Sequence, residues 1–195
     1  MKKYELTTDT KVIFGRKLFR IKALMSFRDV KKGDLGGYIE SEDNLNNDGN
    51  AWVYGNAEVY GDAWVYGDAW VSGNARVSGN ARVSGNAGVS GNARVSGDAR
   101  VYGDAWVSGN AWVSGDAWVS GDANYTTIKG FGTEFRNTTF FRCKDDKIRV
   151  MCGCFYGDLD EFREQVKRTR NGKIAKEYLM IADLMEYHFG REDDM

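Results

Sequence analysis

A six-residue unit that repeats twelve times without a break, from Gly49 to Ser120, leaves this chain few ways to fold. Glycine recurs every sixth residue to Gly121, followed each time by Asn or Asp, then Ala, and two places later by Val. The unit reads V-S/Y-G-N/D-A-x. Valine fills its slot twelve times, from Val53 to Val119, and alanine fills its own thirteen times, from Ala51 to Ala123. A period of six matches neither the 3.6 residues of an amphipathic helix nor a plain alternating hairpin, but it does match one side of a triangular coil. Three units then make one turn of a parallel β-helix, and each residue lies over the one 18 positions earlier, about 4.8 Å away. Valine points inward from the middle of each side, and alanine is small enough to sit inside near the corner. Glycine with Asn or Asp makes the corner, because those types most readily take left-handed backbone angles. Proline is absent from all 195 residues, which suits a fold whose strand N–H groups must bond the neighbouring coil.

The flanks read differently. Upstream, KVIFGRKLFRIKAL predicts a hairpin around Gly15-Arg16-Lys17. GDLGGYIESEDNL predicts a degenerate first coil, with Leu35 in a valine slot and Ile39 and Leu45 in alanine slots. Such a cap is needed because an open coil end exposes unpaired N–H and C=O groups. Downstream, TTFFRCKDDKIRVMCGCF predicts a hairpin turning near Asp145-Asp146. Asp158 and Glu161 have capping-box spacing, opening a helix to about Thr169 that Asn171-Gly172 stops. A second helix follows from about Ile174 to Phe189, with Leu179, Ala182, Leu184 and Met185 among its apolar positions. The chain thus divides into a hairpin cap with a degenerate coil (1–48), the repeats (49–124) and a C-terminal α+β cap that plugs the far end (125–195).

Over residues 49–124 the pattern V-x-G-N/D-A-x resembles the hexapeptide repeat of left-handed β-helix proteins, with an aliphatic residue in the first slot and a small one in the fifth. The resemblance implies a mainly β fold: a three-sided left-handed parallel β-helix with an N-terminal β-hairpin cap and a C-terminal β-hairpin plus two-helix cap. Handedness comes from this likeness and not from the spacing. A pentapeptide-repeat helix has the wrong period, and a right-handed β-helix rarely keeps so strict a six. More closely, LFRIKAL, DVKKGDLGGYIESEDNL, the repeats and GCFYGDLDEF with KEYL together resemble small phage and prophage hexapeptide-repeat proteins. That likeness spans nearly the whole chain. It implies a viral origin and a host-directed or virion-associated binder, and it assigns no residue roles.

Many hexapeptide-repeat proteins are acyltransferases with a catalytic histidine, and others are carbonic anhydrases that hold zinc on three histidines. This chain has one histidine, His188, outside the repeats, so no enzyme, metal or cofactor is expected. Cys143, Cys152 and Cys154 are an odd set of expected free thiols. On a strand, Cys152 and Cys154 would share a face with Ile148 and Val150, as small buried apolar residues. Basic and acidic residues balance at 27 and 28, so overall charge advertises no polyanionic partner. The N-terminal MKKYELTTDTKV has no signal-peptide core and no run approaches the roughly 20 apolar residues of a membrane span, so a cytoplasmic protein is expected.

With a monotonous interior, information lies in the side chains that flank each valine and point outward. All six tryptophans follow an alanine, as do four arginines. Stacking at 18-residue intervals sorts that slot into three columns: Trp52, Trp70, Gly88 and Trp106; Glu58, Arg76, Arg94 and Trp112; and Trp64, Arg82, Arg100 and Trp118. Tyr54, Tyr60 and Tyr66 add one aromatic per face to the first coil, with Tyr102 further along. Gly88 is expected to leave a notch between Trp70 and Trp106. Trp, Tyr and Arg are the types enriched in binding hot spots, so these residues are the expected partner-binding surface. Two other readings remain: the columns only hold successive coils together, or repeat duplication copied them. The leading expectation is a non-enzymatic scaffold that binds a host protein such as a bacterial defence factor; the alternative is self-assembly as a homo-oligomer or virion component. A single-stranded nucleic acid partner is disfavoured by the corner aspartates Asp62, Asp68, Asp98, Asp104, Asp116 and Asp122, which with Glu58 outnumber the four arginines. Asn56, Asn74, Asn92 and Asn110 should form a stacked amide ladder. A hexapeptide-type transferase ranks last.

Overall fold

The repeat forms a parallel β-solenoid in a computed structural model that describes residues 2–121 and 124–190. Asp122 and Ala123, the last corner aspartate and the thirteenth alanine, lie outside the described residues. Each unit contributes one two-residue strand, from β4 (Trp52–Val53) to β15 (Trp118–Val119). These stack into three parallel ladders. The first runs through β4, β7 (Trp70–Val71), β10 (Gly88–Val89) and β13 (Trp106–Val107). The second runs through β5 (Glu58–Val59), β8 (Arg76–Val77), β11 (Arg94–Val95) and β14 (Trp112–Val113). The third runs through β6 (Trp64–Val65), β9 (Arg82–Val83), β12 (Arg100–Val101) and β15. Between repeat units valine pairs only with valine, and every repeat valine and every described repeat alanine is buried.

The hydrogen bonding explains both the regularity and the missing proline. In one unit the N–H groups of Arg76, Ser78 and Asn80 donate to Ala93, Val95 and Gly97 of the next coil, each at 2.9 Å. The Ala81 N–H closes the corner onto the Ser78 carbonyl at 3.4 Å. A proline at any of these slots would orphan a carbonyl.

Corner amides add a second ladder outside the backbone. Asn74 donates to Asn92 and Asn92 to Asn110, at 3.3 and 3.1 Å, so three of the four asparagines of the predicted column form the ladder and Asn56 does not join it. Elsewhere an amide donates to the carboxylate of the next coil: Asn50 to Asp68, Asn80 to Asp98 and Asn86 to Asp104. Asn80→Asp would place a carboxylate between Asp62 and Asp98, each about 4.8 Å away. Thermal melts should show a loss on the order of 1 kcal/mol, largely restored by 1 M salt; a loss that salt leaves untouched would assign the amide's role to shape instead of charge.

Both coil ends are closed by an orderly exchange of partners. Strands β1 (Tyr4–Ile13) and β2 (Arg16–Ala23) form the expected hairpin, and β3 (Leu35–Ile39) lays it onto the second ladder. On that side the N–H groups of Tyr38 and Glu40 take the Ala57 and Val59 carbonyls. On the first side the buried Lys3 ammonium donates to Ala51 and Gly49 at 2.9 and 3.4 Å. On the third, the Asn44 amide donates to Gly61 and Ala63 at 2.8 and 2.9 Å. At the far end, side-chain oxygens accept instead: Tyr125 from Ser108 N–H, Thr139 from Trp112 N–H and Asn124 from Ser120 N–H.

The degenerate coil does not keep the expected register. Ile39 pairs with Val59 and Leu45 bridges to Val65, so both continue the valine columns, while Leu35 is 53% exposed. The two extra residues lie between Leu45 and Val53, which are eight positions apart where the repeat has six; at Gly36-Gly37 the chain crosses the coil end in backbone contact. A Cβ on Gly36 would sit 2.6 Å from the Val53 oxygen, and one on Gly37 2.6 Å from the Ala57 oxygen.

The C-terminal cap is richer than one hairpin. Strands β16 (Tyr125–Phe131), β17 (Arg136–Arg142), β18 (Ile148–Cys152) and β19 (Phe155–Asp158) form an antiparallel sheet, of which the expected hairpin is the inner pair. Strand alternation makes that sheet two-faced. Phe141 and Met151 enter the solenoid core, whereas Phe140 and Val150 join a second core with helices α1 (Leu159–Thr169) and α2 (Gly172–Phe189). The sheet is therefore the plug and the helices cover its back. Asp158 and Glu161 form the capping box that their spacing predicted. Ala182 and Met185 are buried, but Leu184 faces outward with Met180 and Tyr187. Cys154 also departs from expectation: the strand ends at Cys152, Gly153 turns with φ 63°, and Cys154 is exposed, so the two thiols share no strand face.

Candidate functional site

Of the outward residues, those nearest the N-terminus are structural. Trp52 is 1% exposed, edge-on to Tyr4 at 6.2 Å and to Phe27 at 5.4 Å, because the N-terminal cap folds over the first coil. Tyr54 packs on the core and donates to Asp29 at 2.8 Å; burial and that carboxylate hold its phenol above the ordinary tyrosine range. Neither belongs to a free binding surface. The Gly88 notch is also filled. A Cβ there would lie 2.4 Å from Trp70 Cζ2, so the glycine is the seat of the Trp70 indole, which meets Trp106 at 5.6 Å. Trp106 itself is 51% exposed, with its Nε1–H donated to Ser90 at 2.9 Å.

The second ladder is divided. Glu58 is buried and takes Lys11 at 2.7 Å and Arg76 Nε at 2.8 Å, so Arg76 is committed to an internal ion pair. Further along, Arg94 lies 5.6 Å from the Trp112 ring, and Trp112 is 37% exposed. Phe14, at the hairpin tip, overhangs this ladder 5.9 Å from Arg76 and bounds a hollow with Tyr60, Arg94 and Trp112. The sequence marks Phe14 only as a residue beside a turn; where the tip lands depends on how β3 docks.

The third ladder brings its predicted residues together. Trp64 stacks on Tyr66 at 4.1 Å and 24°, and Tyr102 stands edge-on to Trp118 at 6.3 Å. Between these aromatic ends Arg82 and Arg100 pair in register, with Arg100 5.6 Å from the Trp118 ring. Tyr66, Arg82, Ser84, Arg100, Tyr102 and Trp118 enclose a hollow of about 280 Å³. Ser84 was missed as a site residue, since its smallness matters only once Tyr66 and Tyr102 are seen on either side of it.

Buried aliphatic columns inside and aromatic and guanidinium columns outside define a β-solenoid scaffold that displays side chains on a rigid lattice. The central coils are similar to the YdcK beta solenoid repeat, whose family model matches residues 69–85, 75–91, 89–103, 93–109 and 105–121. No curated protein matches the chain. Among the described residues no helix is long and apolar enough to cross a membrane.

Proposed function

We propose that the chain is a non-enzymatic scaffold, a three-sided left-handed β-helix, that binds a protein partner through its outward Trp, Arg and Tyr rows. The observation that carries this reading is the exposure of Trp106 and Trp112, at 51% and 37%, on adjacent ladders. The Trp106 indole N–H is tied to Ser90 of the coil before at 2.9 Å, and that of Trp112 reaches Ser96 at a longer 3.5 Å, so Trp106 in particular has little side-chain freedom left to lose on association. The likeness to phage and prophage hexapeptide-repeat proteins extends the proposal to a phage product acting in the bacterial cytoplasm against a host defence factor. His188, the one histidine, projects from α2 outside the solenoid, which supports the non-enzymatic reading.

Trp106→Ala with Trp112→Ala should keep the fold, costing under about 1 kcal/mol of stability at exposed sites, and should weaken partner binding at least about 30-fold. Light scattering and affinity capture from a bacterial lysate check this. A partner held by the wild type and lost by the double variant supports the proposal. A stable homo-oligomer that the double variant converts to monomer, with nothing captured, replaces it by self-assembly.

A further inference from the structure

We infer that the hollow on the third ladder binds a single oxyanion carried on a planar ring, an aryl phosphate or aryl carboxylate. This rests on reading the outward rows as ligand-facing and adds the chemistry of the ligand.

Arg82 and Arg100 stand on adjacent rungs, about 4.8 Å apart along the ladder. Two planar guanidiniums so placed can both fork onto one oxyanion. Among the described residues neither makes an ion pair, whereas Arg76, in the same slot of the neighbouring ladder, is held by Glu58 at 2.8 Å. The nearest corner carboxylates are turned along their own columns: Asp98 accepts from Asn80 at 2.8 Å and Asp104 from Asn86 at 3.0 Å. Those aspartates also restrict the ligand. A polyanion laid along the ladder would run between Asp68, Asp98, Asp104 and Asp116 and be repelled, while one oxyanion between two arginines is balanced.

The ring requirement comes from the walls. Tyr66 is fixed by its stack on Trp64, and Tyr102 by its edge contact with Trp118. Ser84 lies between them where a tyrosine would fill the space, leaving about 280 Å³, near the small end of small-ligand pockets. Aromatic walls beside the arginines favour a flat group on the oxyanion over the bare ion.

Calorimetric titration of the full chain with phenyl phosphate should give one site, at least about tenfold tighter than inorganic phosphate. Arg100→Lys should weaken it at least about tenfold by removing the fork. Arg94→Lys, on the second ladder, should leave it unchanged. Ser84→Tyr should abolish it, and this variant should fold because the repeat already carries tyrosine in that slot at Tyr66 and Tyr102. Free phosphotyrosine and a phosphotyrosyl peptide, titrated in parallel, separate a free metabolite from a partner's side chain as the source. No binding of phenyl phosphate up to about 10 mM, or binding that survives Ser84→Tyr, overturns the inference. Either result leaves the tryptophan-dependent capture standing, so the two readings fail separately.

Discussion

Gly91→Ala is expected to destabilise the solenoid by about 2–5 kcal/mol, whereas Gly109→Ala should cost only about 1–2 kcal/mol. Both corners have φ 67°, so an alanine at either bears the same penalty for a left-handed backbone angle. The difference lies above them. A Cβ on Gly91 would stand 2.9 Å from the Gly109 carbonyl oxygen and 3.0 Å from its nitrogen, both backbone atoms fixed by the ladder. A Cβ on Gly109 meets nothing within 4 Å. Relief at Gly91 would mean spreading two coils, and each coil is held only by its neighbours. Denaturant titrations of the two variants measure the contrast directly. Equal losses would show that only the backbone angle matters and that the coils part without cost.

That contrast also shows what the sequence could convey. A strict six-residue period with one slot for valine and one for alanine leaves a single arrangement that buries both, and the ladders follow it from Trp52 to Val119. Local rules of equal strength made the capping box at Asp158 legible. What failed was everything set by one element landing on another. Trp52 occupies the same repeat slot as Trp106, yet Tyr4 and Phe27 bury it. Gly88 reads as a gap until Trp70 is seen lying in it. Leu35 matches the period but stands outside, because two extra residues between Leu45 and Val53 put the coil before them out of register with the repeat. Of the candidate site, the rows were legible and their availability was not. The third ladder kept its predicted residues together, while the first lost Trp52 and Tyr54 to the cap.

Stability should rise between about pH 8 and 9, level off, and fall steeply above pH 10. Buried groups at the two coil ends set this profile. Burial lowers Lys3 from 10.5 to about 8, against the opposing pull of Asp48 and Asp68. Between those values the folded chain has shed a proton that the unfolded chain keeps, so stability climbs with pH. The neutral amine retains two hydrogens for the Ala51 and Gly49 carbonyls, so the plug survives. Cys143 works in the opposite sense. Burial first, then Asp116, pushes its thiol from 9.0 up to about 12; above pH 9 the unfolded thiol ionises while the folded one cannot, and stability drops. Tyr4 follows above pH 10, its phenol raised by burial and by Glu42 and Asp43 while it donates to Leu45 at 2.7 Å. Each group contributes about 1.4 kcal/mol per pH unit while it is out of balance. Lys3 and Cys143 therefore cancel between pH 9 and 10, and above 10.5 Cys143, Tyr4 and the likewise raised Tyr54 act together at about 4 kcal/mol per unit. Chemical denaturation at stepped pH should show the initial rise vanish in Lys3→Met and extend to pH 10 in Cys143→Ala. A rise that persists in Lys3→Met would mean that Lys3 stays charged in the folded chain, and that the first coil is closed by an ammonium and not by an amine.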